Sequence, residues 1–465
     1  MNTLFKYKCV CTLPLLLFLA GCSGVLLPRS QYARPEVTLP QQWQEHSLTG
    51  TTVAAREQWW QDFNDPLLTD LIERALESNN DLAAATIRVK RARLSARLTD
   101  TNLTPSASVA ANSSISRDLQ DHSNTKTSGV VATASYELDL WGKLASTRDA
   151  NSWEAQATES DRRSTALSLI GTVAATYWTI AYLNERIAAV EASIANAERL
   201  QELVEVKYQA GAVSALDKVQ AQQTVAGQKA QLAEFEQQRT EARNALSILF
   251  NQAPENTMPE RQSLPEGAMP QVQAGIPAGI LSQRPDLQAA EQRLKKYLAS
   301  VDSTRAGYYP SFSLTGTLGT SSTSLIEVIK NPYAVLGAGL TLPFIQWNTM
   351  KLNVEISKTD YEEAVVNFRQ TLYRALSDVE NALAARKNYA EEIKQLQESL
   401  VLARKAEELT EIRYRAGSTA LQTWLDAQES RRDAEMALAV VRLNQFKNCL
   451  TLYQALGGAM QMQKS

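Results

Sequence analysis

The chain has 465 residues, of which 44% are hydrophobic and 21% are charged, and its formal net charge is −3. This near-neutral balance and the lack of a basic block argue against a nucleic-acid-binding protein. The sequence has only two histidines, His46 and His122, and it carries no HExxH, CxxC or GxSxG motif and no Gly-rich phosphate loop. We therefore expect neither an enzyme nor a site for a metal or a cofactor.

The first residues predict a secretory signal with a lipoprotein processing site. A short basic region precedes an apolar run over residues 13–19, and the run ends in LAGC at 19–22. The run is shorter than the roughly 20 residues of a membrane-spanning helix. Residues 1–21 are therefore the predicted signal peptide. The pattern resembles bacterial lipoproteins, which implies acylation of Cys22, and Ser23 after it implies sorting to the outer membrane.

Cysteine usage leaves little room for a disulfide. Two of the four cysteines lie within the predicted signal and Cys22 would carry lipid, so Cys449 has no partner in the mature chain.

No internal stretch looks apolar enough for a membrane helix. Any part that crosses a membrane is therefore expected to be β-structure, which satisfies its own backbone in lipid.

The rest of the chain divides into two similar halves with short flanking segments. The predicted segments are an N-terminal equatorial segment (22–66), a first repeat (67–251), a Pro- and Gly-rich linker (252–277), a second repeat (278–456) and a C-terminal tail (457–465). Each repeat is predicted to contain a helix, two strands, a long helix and a last helix. The predicted helices are 67–99, 144–210 and 214–250 in the first repeat and 278–306, 349–416 and 420–456 in the second.

An internal duplication explains this symmetry. Thr104-Pro105-Ser106 matches Tyr309-Pro310-Ser311 at an offset of 205 residues, and Trp141 matches Trp347 at an offset of 206. The Ala-Gly pairs that follow the long helices, at 210–211 and 416–417, also match at 206. Matches at so many places indicate that a whole half-domain was duplicated, since the repeat is far longer than a solenoid unit.

Four short segments alternate apolar and polar residues. The apolar positions include Ala107, Val109 and Ala111, then Val130 to Leu140 at every second residue, then Phe312, Leu314 and Leu318, and then Ala334 to Leu342 at every second residue. Period two with one apolar face predicts half-buried strands, and strands of about ten residues with this pattern are typical of outer-membrane barrels. A soluble hairpin packed on a helix is the alternative.

Four strands are too few to close a membrane barrel, because the smallest single-chain barrels have about eight. Open strand edges in lipid would leave backbone groups unpaired. The barrel must then be shared between chains, and three copies would give twelve strands while four would give sixteen. The pattern does not choose between these numbers.

The long helices carry heptad-like spacing. Ile187, Val190 and Ile194 step by three and four residues, and Ile393, Leu396 and Leu400 repeat the steps at 206. Such spacing predicts a coiled-coil seam. A helix of this length would span about 100 Å at 1.5 Å per residue. A scaffolding coiled coil is the alternative, and the interruptions by strands argue against it.

The duplicated layout, the LAGC site and the motifs at 283–287 (QRPDL) and 309–312 (YPSF) resemble the TolC superfamily of outer-membrane efflux proteins, in its OprM-like lipoprotein branch. The resemblance implies a mixed α and β membrane protein. It implies a homotrimer whose twelve-stranded outer-membrane β-barrel is continuous with a twelve-helix periplasmic α-barrel.

The resemblance also implies a function. The protein would be the passive exit duct of a tripartite efflux system, anchored in outer-membrane lipid and extending into the periplasm. An inner-membrane pump and a periplasmic adaptor would deliver drugs or other small molecules to it. Ducts for metal ions or for type I protein secretion are the alternatives.

Candidate gate residues lie at the ends of the long helices. Gly211 and Gly417 suit helix C-termini that enter a left-handed turn. By resemblance, Asp217 and Tyr414 would form a hydrogen bond that closes the periplasmic mouth, and Asp426 would belong to an acidic ring. The basic residue that the family usually places just after the second turn is missing here. Stabilisation of a helix N-terminus is the alternative role for both aspartates.

Overall fold

The computed structural model describes residues 29–45, 58–254, 259–267, 269–270, 272, 274, 277–323 and 330–458. The predicted signal peptide, Cys22 and most of the C-terminal tail lie outside the described residues. The described residues form two compact units. Unit 1 comprises residues up to 37, 87–160 and 289–370, and unit 2 comprises 38–86, 161–288 and 371 onward.

The described elements follow one another in the predicted order. The helices are α1 (Pro66–Ser78), α2 (Asn80–Asp100), α3 (Lys143–Gln209), α4 (Ala215–Leu249), α5 (Ile280–Gln283), α6 (Pro285–Ala306), α7 (Trp347–Arg415) and α8 (Leu421–Ala455). The strands are β1 (Ser106–Arg117), β2 (Asn124–Leu138), β3 (Ser311–Ser322) and β4 (Pro332–Thr341). The four predicted helices that adjoin the Ala-Gly turns are confirmed to within two residues.

The first predicted helix of each repeat was wrong, because each is broken in two. Asn79 adopts an extended backbone between α1 and α2. Its side-chain oxygen accepts a hydrogen bond from the Leu82 amide at 3.0 Å, so that Asn79 caps the start of α2. Between α5 and α6, Arg284 precedes Pro285, and a residue before proline is disfavoured in helical backbone.

Unit 1 contains a four-stranded antiparallel sheet in the order β1-β2-β3-β4. Directly opposite residues share a face, and Val109 lies opposite Ala132, Ala132 opposite Leu318, and Leu318 opposite Ala334. Ser108, Thr133 and Thr317 lie opposite one another on the other face. The register therefore confirms that the predicted apolar positions form one face of a single sheet.

The helices of unit 1 contact one another in the same order as the strands to which they are connected. Asn151 of α3 donates to the Thr99 hydroxyl of α2 at 3.0 Å, and the hydroxyls of Thr147 and Ser303 join α3 to α6 at 2.6 Å. Asn353 of α7 donates to the hydroxyl of Tyr308, just beyond α6, at 2.6 Å. The sequence of contacts is therefore α2-α3-α6-α7, with α2 and α7 on the outside.

Unit 2 has an aromatic core. The Trp59 and Tyr453 rings stack at 4.6 Å, and the Trp178 and Phe446 rings lie 4.8 Å apart. The buried Asp65 carboxylate accepts a hydrogen bond from the Tyr177 hydroxyl at 3.0 Å. Cys449 is also buried here, and burial raises the pKa of its thiol to about 12, which keeps it protonated and unreactive.

The long helix α3 is apolar in its middle. A window of α3 is long and apolar enough by composition to cross a membrane, so the prediction that no internal stretch would pass this test was wrong. Most of that window is buried inside the protein, as in the core helix of a soluble domain. The predicted seam at Ile187, Val190 and Ile194 is buried as well.

Candidate functional site

The two long helices end in turns of the same kind, and both turns lie in unit 2. The Ala212 amide donates to the Lys207 carbonyl at 2.8 Å and the Gly211 amide to the Tyr208 carbonyl at 2.9 Å. Gly211 and Gly417 have φ of 67° and 72°, the left-handed backbone that favours glycine. With the matching bonds at the second turn, both turns are Schellman motifs, in which glycine at the left-handed position ends the helix.

The helices that follow the turns begin differently. Ser214 caps α4, because its hydroxyl accepts the Asp217 amide at 3.2 Å while an Asp217 carboxylate oxygen accepts the Ser214 amide at 2.9 Å. This arrangement is a capping box. Ala420 occupies the same position before α8 and gives no side-chain cap. Asp217 therefore stabilises the start of its own helix, which is the alternative role considered for it.

The two turns are held together by an apolar cluster. Its buried members come from α3, α4, α7 and α8 and are Leu200, Val204, Ala221, Tyr414, Leu421, Trp424 and Leu425, with Val213 packed against them. Because the members come from both repeats, the first turn and the second turn form one packed end of unit 2.

Tyr414 is one of the buried members of this cluster. Its ring stacks on Trp424 with the centroids 5.2 Å apart, and the Lys207 ammonium lies 4.8 Å from the ring centre. Its hydroxyl is buried, and none of the described residues provides it with a hydrogen-bond partner. Burial and the negative charge of Asp217 both raise the pKa of this hydroxyl above its usual value.

The hydrogen-bond partners of Asp217 and Tyr414 show whether the expected hydrogen bond between these two residues is formed. In the chain by itself, the Asp217 carboxylate accepts hydrogen bonds from Ser214, and the Tyr414 hydroxyl is without a partner among the described residues. The negative charge of Asp217 contributes, after burial, to the raised pKa of the Tyr414 hydroxyl, and no hydrogen bond joins the two groups. The closing bond is not made in this conformation, and its place in a gate stays a prediction.

Asp426 lies on the exposed side of α8, where its carboxylate accepts a hydrogen bond from Gln422 at 2.5 Å. Arg415, near the position where the family carries a basic residue, is paired with Glu411 of its own helix. Among the described residues, no group of three or more His, Cys, Asp or Glu side chains is placed to hold a metal ion.

Sequence reasoning missed the aromatic and basic partners at the turns. The offset of 206 could have found them, since it matches Tyr208 with Tyr414 and Lys218 with Trp424. The Lys218 ammonium lies 5.2 Å from the Tyr208 ring centre, while Trp424 stacks on Tyr414. The same packing position therefore holds a cation–π contact at the first turn and an aromatic stack at the second.

Comparison with known proteins decides the family. The family described as "Outer membrane efflux protein" matches residues 71–252 and 276–458. The chain belongs to this outer membrane efflux protein family. It is 31% identical over 463 residues to the pyoverdine export outer membrane protein OpmQ of Pseudomonas putida, covering 97% of each chain. It is 30% identical to toxin and drug export protein A of Aggregatibacter actinomycetemcomitans, covering 88% of this chain and 90% of that relative.

Solved structures of the same family share the fold. The Campylobacter jejuni CmeC outer membrane channel superposes with a TM-score of 0.88 at 25% identity, covering 94% of this chain and 96% of that one. The recognition of a TolC-type channel is thereby confirmed. As a member of the outer membrane efflux protein family, the protein is an outer-membrane exit channel of an efflux system, with the family's combination of helical and β-barrel parts.

Proposed function

We propose that three copies of this chain assemble into one duct, with a twelve-stranded β-barrel in the outer membrane and a twelve-helix barrel in the periplasm. The observation that carries the proposal is the sheet of unit 1. It has one apolar face, and β1 and β4 each pair with a single described strand, so each has an open edge. Open edges are not tolerated in lipid, and pairing β4 of one copy with β1 of the next removes them.

The duct is passive, and its cargo is a small organic molecule delivered by an inner-membrane pump through a periplasmic adaptor. The names of two relatives support this cargo class, since one is a pyoverdine export protein and the other a toxin and drug export protein. The acylated Cys22 holds the N-terminus at the membrane as a second attachment besides the barrel, because a single acyl chain binds only marginally.

The periplasmic mouth opens and closes at the two Schellman turns. The buried Tyr414 hydroxyl supports this role, because a buried hydroxyl without a partner is costly and favours any conformation that supplies an acceptor. The nearby Asp217 carboxylate is one such acceptor. Asp426, exposed on α8, repeats around the mouth by symmetry and concentrates negative potential there.

Conductance across a planar lipid bilayer tests the duct. The purified full-length protein should give discrete conductance steps with a preference for cations, because a ring of carboxylates at a narrow mouth favours them. Asp426→Asn is the matched variant and should lose part of this preference while it keeps the steps. Trimeric protein that inserts into the bilayer and never conducts, even with both Asp217 and Tyr414 changed, would contradict the proposal.

A further inference from the structure

The apolar face of the sheet contains a groove over strands β2, β3 and β4. Ala134, Gly316 and Leu336 lie opposite one another in one row of the register, and Tyr136 and Leu314 lie opposite each other in the next row. The two small residues leave a hollow beside the three large ones. The groove has a volume of about 490 Å³, which is within the range of about 300–1,000 Å³ that is usual for ligand pockets.

Neither the backbone nor a lack of space requires the glycine in this groove. β3 pairs residue for residue with both of its neighbours around Gly316, so the strand is not bulged there, and Gly316 does not have a positive φ. A Cβ atom at Gly316 would lie 3.7 Å from a Leu336 methyl carbon, an ordinary van der Waals distance. Because glycine weakens the interior of a strand, its presence there often marks the close approach of a ligand.

The groove lies near the end of the sheet that adjoins the helices. β3 begins at Ser311 soon after α6, and Leu314 and Gly316 follow within the next few residues. At about 3.3 Å per residue they lie roughly 10 and 17 Å along the strand. A tilt of about 40° reduces these distances to roughly 8 and 13 Å above the end of the sheet. The groove is therefore in the periplasmic half of a hydrocarbon layer about 30 Å thick.

The first described residues form an N-terminal arm (29–34) that runs along α6 toward this end of the sheet. One guanidinium nitrogen of Arg34 donates to both carboxylate oxygens of Glu291, at 3.1 and 2.9 Å. The amide and the hydroxyl of Ser30 both donate to the Asp302 carboxylate, at 2.8 and 2.6 Å. Since α6 runs from Glu291 past Asp302 toward β3, the arm approaches the membrane-side end of α6 as it is followed back toward the N-terminus.

The arm ends close enough to the sheet for Cys22 to reach it. Arg29 pairs with Asp149 at 2.8 Å, and Asp149 lies about two turns from the start of α3, which follows β2. Cys22 lies outside the described residues, and the seven residues from Cys22 to Arg29 span at most about 25 Å when extended. Only about 6 Å of α6 remains beyond Asp302. Cys22 can therefore reach the helix-side end of β2 and β3, which carry most of the groove.

We propose that the groove at Ala134 and Gly316 binds an acyl chain of the lipid carried by Cys22 of the same copy. The inference rests on the proposed acylation and the proposed membrane barrel, and it adds the place where the acyl chain lies. A hollow in an apolar surface loses dispersion contacts unless an apolar group fills it. An unbranched hydrocarbon chain is narrow and wholly apolar, so it fits a groove whose floor is Ala134 and Gly316 and whose sides are leucine and tyrosine side chains.

The arm favours the acyl chain on Cys22 over a free membrane lipid. A free lipid loses freedom of movement when the groove holds it, and this loss opposes binding. The bonds of Arg29 and Ser30 to α3 and α6 already restrict the arm, so the attached acyl chain has less freedom to lose. The attachment also keeps the acyl chain at a high effective concentration beside the groove. A bound acyl chain would in turn hold the N-terminus against the barrel.

Photocrosslinking from the lipid tests the inference. Cells that produce the full-length protein are grown on a fatty acid with a diazirine within its chain, which enters lipoproteins and phospholipids alike. After irradiation of isolated outer membranes and digestion with trypsin, mass spectrometry should find the Cys22 peptide joined through its lipid to a peptide that contains Ala134 or Gly316. The crosslinked protein should run as a monomer on denaturing gels, because the lipid and the groove belong to one copy. Crosslinks to phospholipid are distinguished by their cleavage with phospholipase.

A variant that fills the groove provides the matched comparison. Gly316→Leu places a large side chain in the hollow, and it should lower the yield of the crosslink from Cys22 to the groove several-fold while the protein still assembles. Ala111→Leu is the control, because it adds leucine to the same apolar face on β1, opposite Val130 and outside the groove. The control should keep the parental yield. If Gly316→Leu does not assemble, Ala134→Leu fills the same groove from β2 and takes its place.

Three results would overturn the inference. Groove peptides that carry only phospholipid would show that free lipid fills the groove, and an unchanged crosslink in an assembled groove-filling variant would place the acyl chain elsewhere. Both results leave the proposed duct and its acylated Cys22 intact. A parent protein whose Cys22 peptide has the mass of the unmodified peptide would instead overturn the proposed acylation and this inference together.

Discussion

Substitution of arginine on the apolar face of the sheet is the mutation that most directly tests whether this face contacts lipid. Leu314 lies on that face of β3, between Tyr136 and Ala338. The next residue, Thr315, lies on the opposite face between Ser135 and Gly337. Leu314→Arg and Thr315→Arg therefore introduce the same side chain one residue apart, into lipid in one case and into the lumen in the other.

The expected difference is large. An arginine on the lipid face costs about 2–4 kcal/mol near the middle of the bilayer, and a lumen-facing arginine stays in water. A shared barrel carries three copies of the change, so that the cost rises to roughly 6–12 kcal/mol per assembled barrel. Even the lower value shifts the assembly equilibrium by roughly four orders of magnitude, since about 1.4 kcal/mol is a factor of ten.

The assay is the amount of assembled protein in isolated outer membranes, measured on gels run without heating and normalised to total protein. Leu314→Arg should leave little assembled protein, and Thr315→Arg should assemble like the parent. The pair Leu138→Arg and Ser135→Arg on β2 should repeat the contrast. Equal assembly of all four variants, or selective loss of the threonine and serine variants, would refute the assignment of the faces.

Four further changes test other parts of the protein. Gly417→Ala should lower the free energy of unfolding by about 1–2 kcal/mol in thermal denaturation, because alanine is disfavoured in left-handed backbone; unchanged stability would argue against the strained turn. Tyr414→Phe combined with Asp217→Ala should raise single-channel conductance by removing a closing contact; parental conductance would leave Asp217 with its capping role alone. Asp426→Asn should weaken cation selectivity and block by trivalent cations while closure persists; parental selectivity would place the acidic ring elsewhere. Cys22→Ala with a substitute signal peptide should impair sorting yet still give trimers; loss of all trimers would show that the barrel depends on the anchor.

The strand faces could be predicted from the sequence because a period of two is a local property. Val109, Ala132 and Leu318 stood out by alternation alone, and the register then placed them opposite one another. The helix breaks were harder to predict. Asn79 interrupts an otherwise helical pattern because its side chain caps the next helix, and such local hydrogen bonding competes with helix without changing the apolar pattern.

The sequence predicts where the two turns of the candidate gate lie along the chain, but it does not predict which side chains contact one another there. The Ala-Gly pairs located both turns, since glycine is required by the left-handed backbone there. The partners of Tyr414 come from three other helices, and no spacing along the chain indicates which side chains meet in space. The sequence singles out Trp424 only because the duplication matches it with Lys218.

The mass of the conducting species tests the central claim most directly. Native mass spectrometry of full-length protein extracted from outer membranes, on the same fraction that conducts in bilayers, should give three times the mass of the lipid-modified chain. Three copies of the four-stranded sheet then supply the twelve strands of the barrel. A conducting species with the mass of a single chain would contradict the shared barrel, and with it the duct built from three copies.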